Sequence, residues 1–140
     1  MKKEWAPQLL SLLRIVVAFL YFQVGSAKWF AFPAAIMPGG GTAPVGSLPW
    51  FAGVIEVIGG ALILLGLFTR PVAFILSGEM AVAYFIGHAS RGPWLWPVIN
   101  QGGPAVFYCF FFLYLSAAGP GPWSLDALLV RRRASVVPVS

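Results

Sequence analysis

The stretch Trp50–Arg70, WFAGVIEVIGGALILLGLFTR, constrains this chain more than any other: an apolar run interrupted by one carboxylate, Glu56, a third of the way in. About 20 apolar residues suffice to cross a bilayer as a helix. A charge inside such a span costs ~3 kcal/mol or more unless it faces protein or water. Gly53, Glu56 and Gly60 fall at helical spacing, so they share a small, polar face that invites a second helix. Glu56 then either locks helices together or belongs to a site within the membrane.

Composition supports the membrane setting. Of 140 residues, 59% are hydrophobic and only 9% charged, against roughly 25% in soluble domains. The net charge of +5 lies mostly at the edges of apolar spans, which speaks for membrane topology and against nucleic acid. One cysteine (Cys109) and one histidine (His88) provide no disulfide, no C-x-x-C pair and no ligand spacing for zinc, haem or iron–sulfur. No metal or covalently held cofactor is expected. A redox role would need a diffusible carrier or a partner protein.

The fold expected is all-α: a transmembrane four-helix bundle in one domain, residues 1–130, with spans near 8–30, 50–67, 71–89 and 103–118. In the first span Arg14, Ala18, Tyr21, Gly25 and Lys28 step by four and three and form one seam, which should face the interior. The alternative is that Arg14 and Lys28 snorkel to opposite headgroup layers. Arg14 also argues against reading this segment as a signal peptide. Residues 31–49, rich in Gly and Pro, read as a loop. On the third span Ser77, Tyr84 and His88 share one face and Glu79 the opposite one, which requires protein on both sides or a second subunit. Gly119-Pro120-Gly121-Pro122 ends the fourth span. Residues 123–130 read as a short C-terminal interfacial helix capped by Ser124, with Arg131–Arg133 after its end, and residues 131–140 as a basic tail with a disordered end.

Lys2, Lys3, Arg70 and Arg131–Arg133 fall on one side, Lys28 and Arg91 on the other, so both termini are expected in the cytoplasm. All six tryptophans lie at span ends, as in an aromatic belt. Depth along the spans then pairs Arg14 with Glu79 in the inner leaflet and Lys28 with Glu56 in the outer one.

These residues resemble the DoxX family of small four-helix membrane proteins over about Leu10 to Leu129. The resemblance rests on Arg14 with Gly25-x-x-Lys28, on Glu56-x-x-Gly59-Gly60-x-x-x-x-Leu65-Gly66-x-x-Thr69-Arg70, on Tyr84-Phe85-x-x-His88, and on Gly119-Pro120-Gly121-Pro122-Trp123-Ser124-Leu125-Asp126. It implies a bacterial inner-membrane protein linked to quinol oxidase, to thiosulfate:quinone oxidoreductase or to oxidative-stress complexes. Relatives often carry an acid after Asn-Gly-Gly or Asn-Gln-Gly; here Asn100-Gln101-Gly102-Gly103 leads to Pro104.

Three functions follow as expectations. The first is a non-haem membrane subunit of a quinone-linked oxidoreductase, with Lys28, Glu56, Tyr84 and His88 at one depth as the quinone site. The second is a scaffold or assembly partner, in which His88 bonds only to the following loop. Small-solute transport ranks third, for want of an inverted repeat. A lipid bilayer and a protein partner or second copy are the expected neighbours.

Overall fold

The computed structural model describes residues 4–136 and is all-helical there. Helix α1 (Ala6–Phe30) opens with Pro7, where the missing N–H is harmless, and ends where Ala31 turns left-handed. Helix α2 (Leu48–Leu65) is capped by Ser47, whose Oγ accepts from the Trp50 N–H. Helix α3 (Thr69–Ala83) follows after a tight corner and runs on through a π turn, Tyr84–His88, and a 3-10 turn to Arg91. Helix α4 (Gly103–Ala118) opens with Pro104, and α5 (Leu125–Val136) closes the described chain. Helices α1, α2 and α3 with its extension are long and apolar enough to cross a membrane; α4 is apolar but shorter. Phe19, Ile58, Phe74 and Phe110 stand exposed around them, which suits lipid rather than water.

Helix α1 packs on α2, α2 on α3, and α3 on α4. The seam on α1 faces inward: Arg14, Ala18 and Tyr21 are buried. Close approach depends on glycine. A Cβ on Gly25 would stand 2.7 Å from Glu56 Cβ, and one on Gly60 3.1 Å from the Phe22 backbone. The Gly53–Glu56–Gly60 face therefore meets α1, while Gly59 takes Leu76 of α3. The Tyr21 ring lies edge-on to Phe112 and Tyr108 of α4, with centroids 4.9 and 5.2 Å away.

Several expected boundaries move, each for a local reason. Helix α2 stops at Leu65, because Gly66 takes up a left-handed conformation (φ 67°) and its N–H folds back onto Ile63. Helix α3 starts two residues before Pro71, because the Asp126 carboxylate accepts from the N–H groups of Phe68 and Thr69, both at 2.9 Å. Helix α5 begins after Ser124, whose Oγ accepts from the Ala127 N–H. It runs past the expected end at Val130, so Arg131–Arg133 lie within it. Of the tail expected to be disordered, residues 134–136 are helical and residues 137–140 lie outside the described residues, as do Lys2 and Lys3. The Phe110-Phe111-Phe112 run divides, with Phe110 outside and the other two in the core.

Candidate functional site

Two ionic centres sit in the helix interior, at opposite ends of α1. Near its C-terminal end the Lys28 ammonium lies 2.6 Å from Glu56 Oε1, an ion pair between α1 and α2. Glu56 is 1% exposed and Lys28 19%. The second carboxylate oxygen, Glu56 Oε2, is buried with no hydrogen-bond partner among the described residues. Lys28 has three N–H donors, and the Glu56 contact is the one hydrogen bond its ammonium makes among the described residues. The same group of side chains includes Tyr21, which donates to Glu79 Oε2 at 2.5 Å and ties α1 to α3. Glu56 and Glu79 lie within electrostatic range of each other and of Lys28.

At the other end of α1, Arg14 is fully buried. The expected pair with Glu79 does not form. Arg14 Nε donates to Pro120 O at 2.9 Å, Nη1 to Ile63 O and to Leu64 O (2.7 Å), and Nη2 to Trp123 O at 2.5 Å. The planar fork meets two carbonyls in the last turn of α2, Leu64 O and Ile63 O, the latter shared with the Gly66 N–H, where the helix dipole also favours a cation. Glu79 is satisfied instead by the Tyr21 phenol. Snorkelling of Arg14 is excluded by its burial.

Around Arg14 two pieces of the motif set that lie far apart in sequence dock. Gly66 O accepts from the Asp126 N–H at 2.9 Å, while the Asp126 carboxylate caps α3. A Cβ on Gly66 would collide with Ser124 and stand 3.1 Å from Arg14 Cζ. Leu65-Gly66-x-x-Thr69-Arg70 and Trp123-Ser124-Leu125-Asp126 are thus the two halves of one joint.

Tyr84 and His88 go elsewhere. The Tyr84 hydroxyl donates to Trp94 O and accepts from Asn100 Nδ2, at 3.2 Å in the latter case. His88 Nδ1 lies 3.2 Å from Asn100 O. No hydrogen bond among the described residues joins either one to Lys28 or Glu56. A π turn intervenes before His88: inside it the Ala89 N–H reaches back five residues to Tyr84 O, so the regular spacing that put His88 on the face of Ser77 and Tyr84 does not hold across it. Ser77 donates to Cys109 O at 2.8 Å on α4, while Glu79 meets α1, so both polar faces of α3 find protein within this one chain. Asn100 organises the loop. Its Oδ1 accepts from the Gly102 N–H and its Nδ2 also donates to Pro93 O. A Cβ on Gly102 would run into the Tyr84 ring at 2.5 Å. The signal for this hub was the Asn-Gln-Gly turn chemistry itself.

Helices of this length and apolarity, with charges sealed between them, define an integral membrane protein of the all-helical class. The sequence profile of the DoxX family matches residues 9–89, more than half of the chain, and the protein belongs to that family. It is 45% identical over 125 residues to an uncharacterized protein of Haemophilus influenzae, covering 89% of this chain and 92% of that one. The inner membrane protein YphA of Escherichia coli is 30% identical, with 86% of this chain and 89% of that one covered. The uncharacterized membrane protein Rv3486 of Mycobacterium tuberculosis is 29% identical, with 86% and 80% covered. No solved structure matches the chain.

Proposed function

We propose that this chain is the non-haem membrane subunit of a quinone-linked oxidoreductase complex, and that the Lys28–Glu56 pair is its quinone-facing site. The reading is carried by Glu56 Oε2, a buried carboxylate oxygen without a donor. An unpartnered buried polar atom is costly and asks for an explanation. Here the explanation is chemical. Glu56 takes a proton on Oε2 while Oε1 keeps its hydrogen bond to Lys28. Lys28, the more exposed partner, offers its remaining N–H donors to a carbonyl oxygen outside the pair. A quinone head has two carbonyl oxygens, each of which takes up one proton when a partner subunit delivers two electrons; Glu56 Oε2 takes its proton from water and passes it on to one of them, and water protonates the other. Tyr84 and His88, engaged with the Asn100 loop, are not part of the revised site.

In this reading α4 is the fourth span, at ~24 Å for 16 residues, and α5 lies on the cytoplasmic surface of the inner membrane with both termini inside. The printed name of the E. coli relative supports the inner membrane. Purification in mild detergent, with quinone quantified in the extract, tests the function: the parent chain retains quinone and Glu56→Gln retains less.

A scaffold role is the competing reading, favoured by Arg14 and by Tyr21–Glu79, whose polar groups serve helix packing. Quinone absent from the parent, together with a stoichiometric co-purifying enzyme, would establish that reading instead.

A further inference from the structure

A groove of about 670 Å³ opens where the α2–α3 corner, the Pro120–Pro122 turn and α5 meet. It lies at the end of the bundle that carries the start of α1, since the Trp123 N–H donates to Ser11 Oγ across that boundary. Its walls are mixed in an instructive way. Phe68, Pro122 and Leu129 are apolar, while Arg70, Arg131 and Arg133 bring three guanidinium groups to the same opening. The one carboxylate there, Asp126, already has both oxygens engaged by the N–H groups of Phe68 and Thr69. Arg70 gives Nη1 to Ser116 O and Ala117 O at the end of α4, and its Nε and Nη2 have no acceptor among the described residues. Arg131 and Arg133 have no acceptor among the described residues. Thr69, which also lines the groove, has a buried hydroxyl with no partner among the described residues.

We infer that this groove binds an anionic phospholipid. Uncompensated positive charge beside apolar walls, set where spans end, matches a phosphate joined to acyl chains. Arginine forks suit phosphate oxygens bidentately, and basic pockets at the ends of membrane helices favour anionic headgroups. Leu125, Leu128, Leu129 and Val130 on α5 are exposed and set apolar surface beside the arginines. The bound lipid would fasten α5 over the Arg14–Gly66–Asp126 joint. The inference is independent of the quinone reading.

The test is native mass spectrometry of the full chain in mild detergent, titrated with phosphatidylglycerol or with phosphatidylcholine of the same chain length. Phosphatidylglycerol is expected to stay bound and phosphatidylcholine to be lost. The Arg131→Gln/Arg133→Gln variant should bind phosphatidylglycerol roughly tenfold more weakly or worse, while Arg91→Gln, away from the groove, should bind like the parent. Hydrogen exchange on the parent chain gives a readout that needs no variant: amides of α5 should gain protection with phosphatidylglycerol and not with phosphatidylcholine. Equal retention of the two lipids, an undiminished double variant, or unchanged exchange in α5 would each overturn the proposal. So would inorganic phosphate alone binding as tightly as the lipid, because the apolar walls would then contribute nothing.

Discussion

Tyr21 donates its phenolic O–H to Glu79 Oε2 across 2.5 Å, and this hydrogen bond joins α1 to α3 at the level of the Phe112 ring. It replaces the ion pair that depth alone suggested for Glu79. A phenol–carboxylate bond brings no second charge into the span, and hydrogen bonds to charged groups contribute roughly 1.5–3 kcal/mol. Tyr21→Phe should therefore destabilise the protein by about 2 kcal/mol, measured by unfolding in mixed micelles. A double-mutant cycle with Glu79→Leu should show coupling of about 1 kcal/mol or more. A cycle that closes to zero would remove the bond from the account.

Arg14 makes a different demand. Its three nitrogens reach carbonyls of α2 and of the α4–α5 connection, and no single ammonium can span them. Arg14→Lys should lose nearly as much stability as Arg14→Leu, ~3 kcal/mol or more, since each leaves buried carbonyls without a donor. Arg14→Leu combined with Glu79→Leu should be additive to within ~0.5 kcal/mol. A rescue in that double variant would restore the discarded pair.

Asp126 supplies the cap for α3 from a distance of 57 residues in sequence. Asp126→Ala should cost about 1–2 kcal/mol, as the loss of a helix cap does, and should raise hydrogen exchange at Phe68 and Thr69 ahead of the rest of α3. Unchanged exchange at those two amides would contradict the joint.

What the sequence disclosed, and what it hid, divides by kind of partner. The seam from Arg14 to Lys28 and the Gly53–Glu56–Gly60 face were legible because helical periodicity fixes which side chains share a side. The Lys28–Glu56 contact was within reach of depth along two spans that enter from the same end. Arg14 was misassigned because its acceptors are main-chain carbonyls, which every residue carries and no sequence marks; only the ends of helices leave them free. Tyr21 was legible as a member of the inward-facing seam, but helical spacing on α1 does not say which carboxylate of another helix its hydroxyl meets. Tyr84 and His88 were grouped with the ion pair by depth alone, which does not say which neighbour a side chain meets; both meet the loop at Asn100 instead. The full length of α5 escaped notice because three arginines look like a stop, yet no residue before Pro138 forbids a helix.

The central claim concerns Lys28 and Glu56, and the binding of a short-chain quinone to purified parent and variant chains tests it most directly. Glu56→Gln keeps the shape and removes the proton acceptor; Lys28→Met removes the donor and leaves Glu56 buried without its cation. Quinone affinity should fall roughly tenfold or more in each, the scale of one charge-assisted hydrogen bond, while Tyr84→Phe and His88→Ala, confined to the Asn100 loop, bind as the parent does. Folded Glu56→Gln and Lys28→Met chains that bind quinone as tightly as the parent would contradict the account.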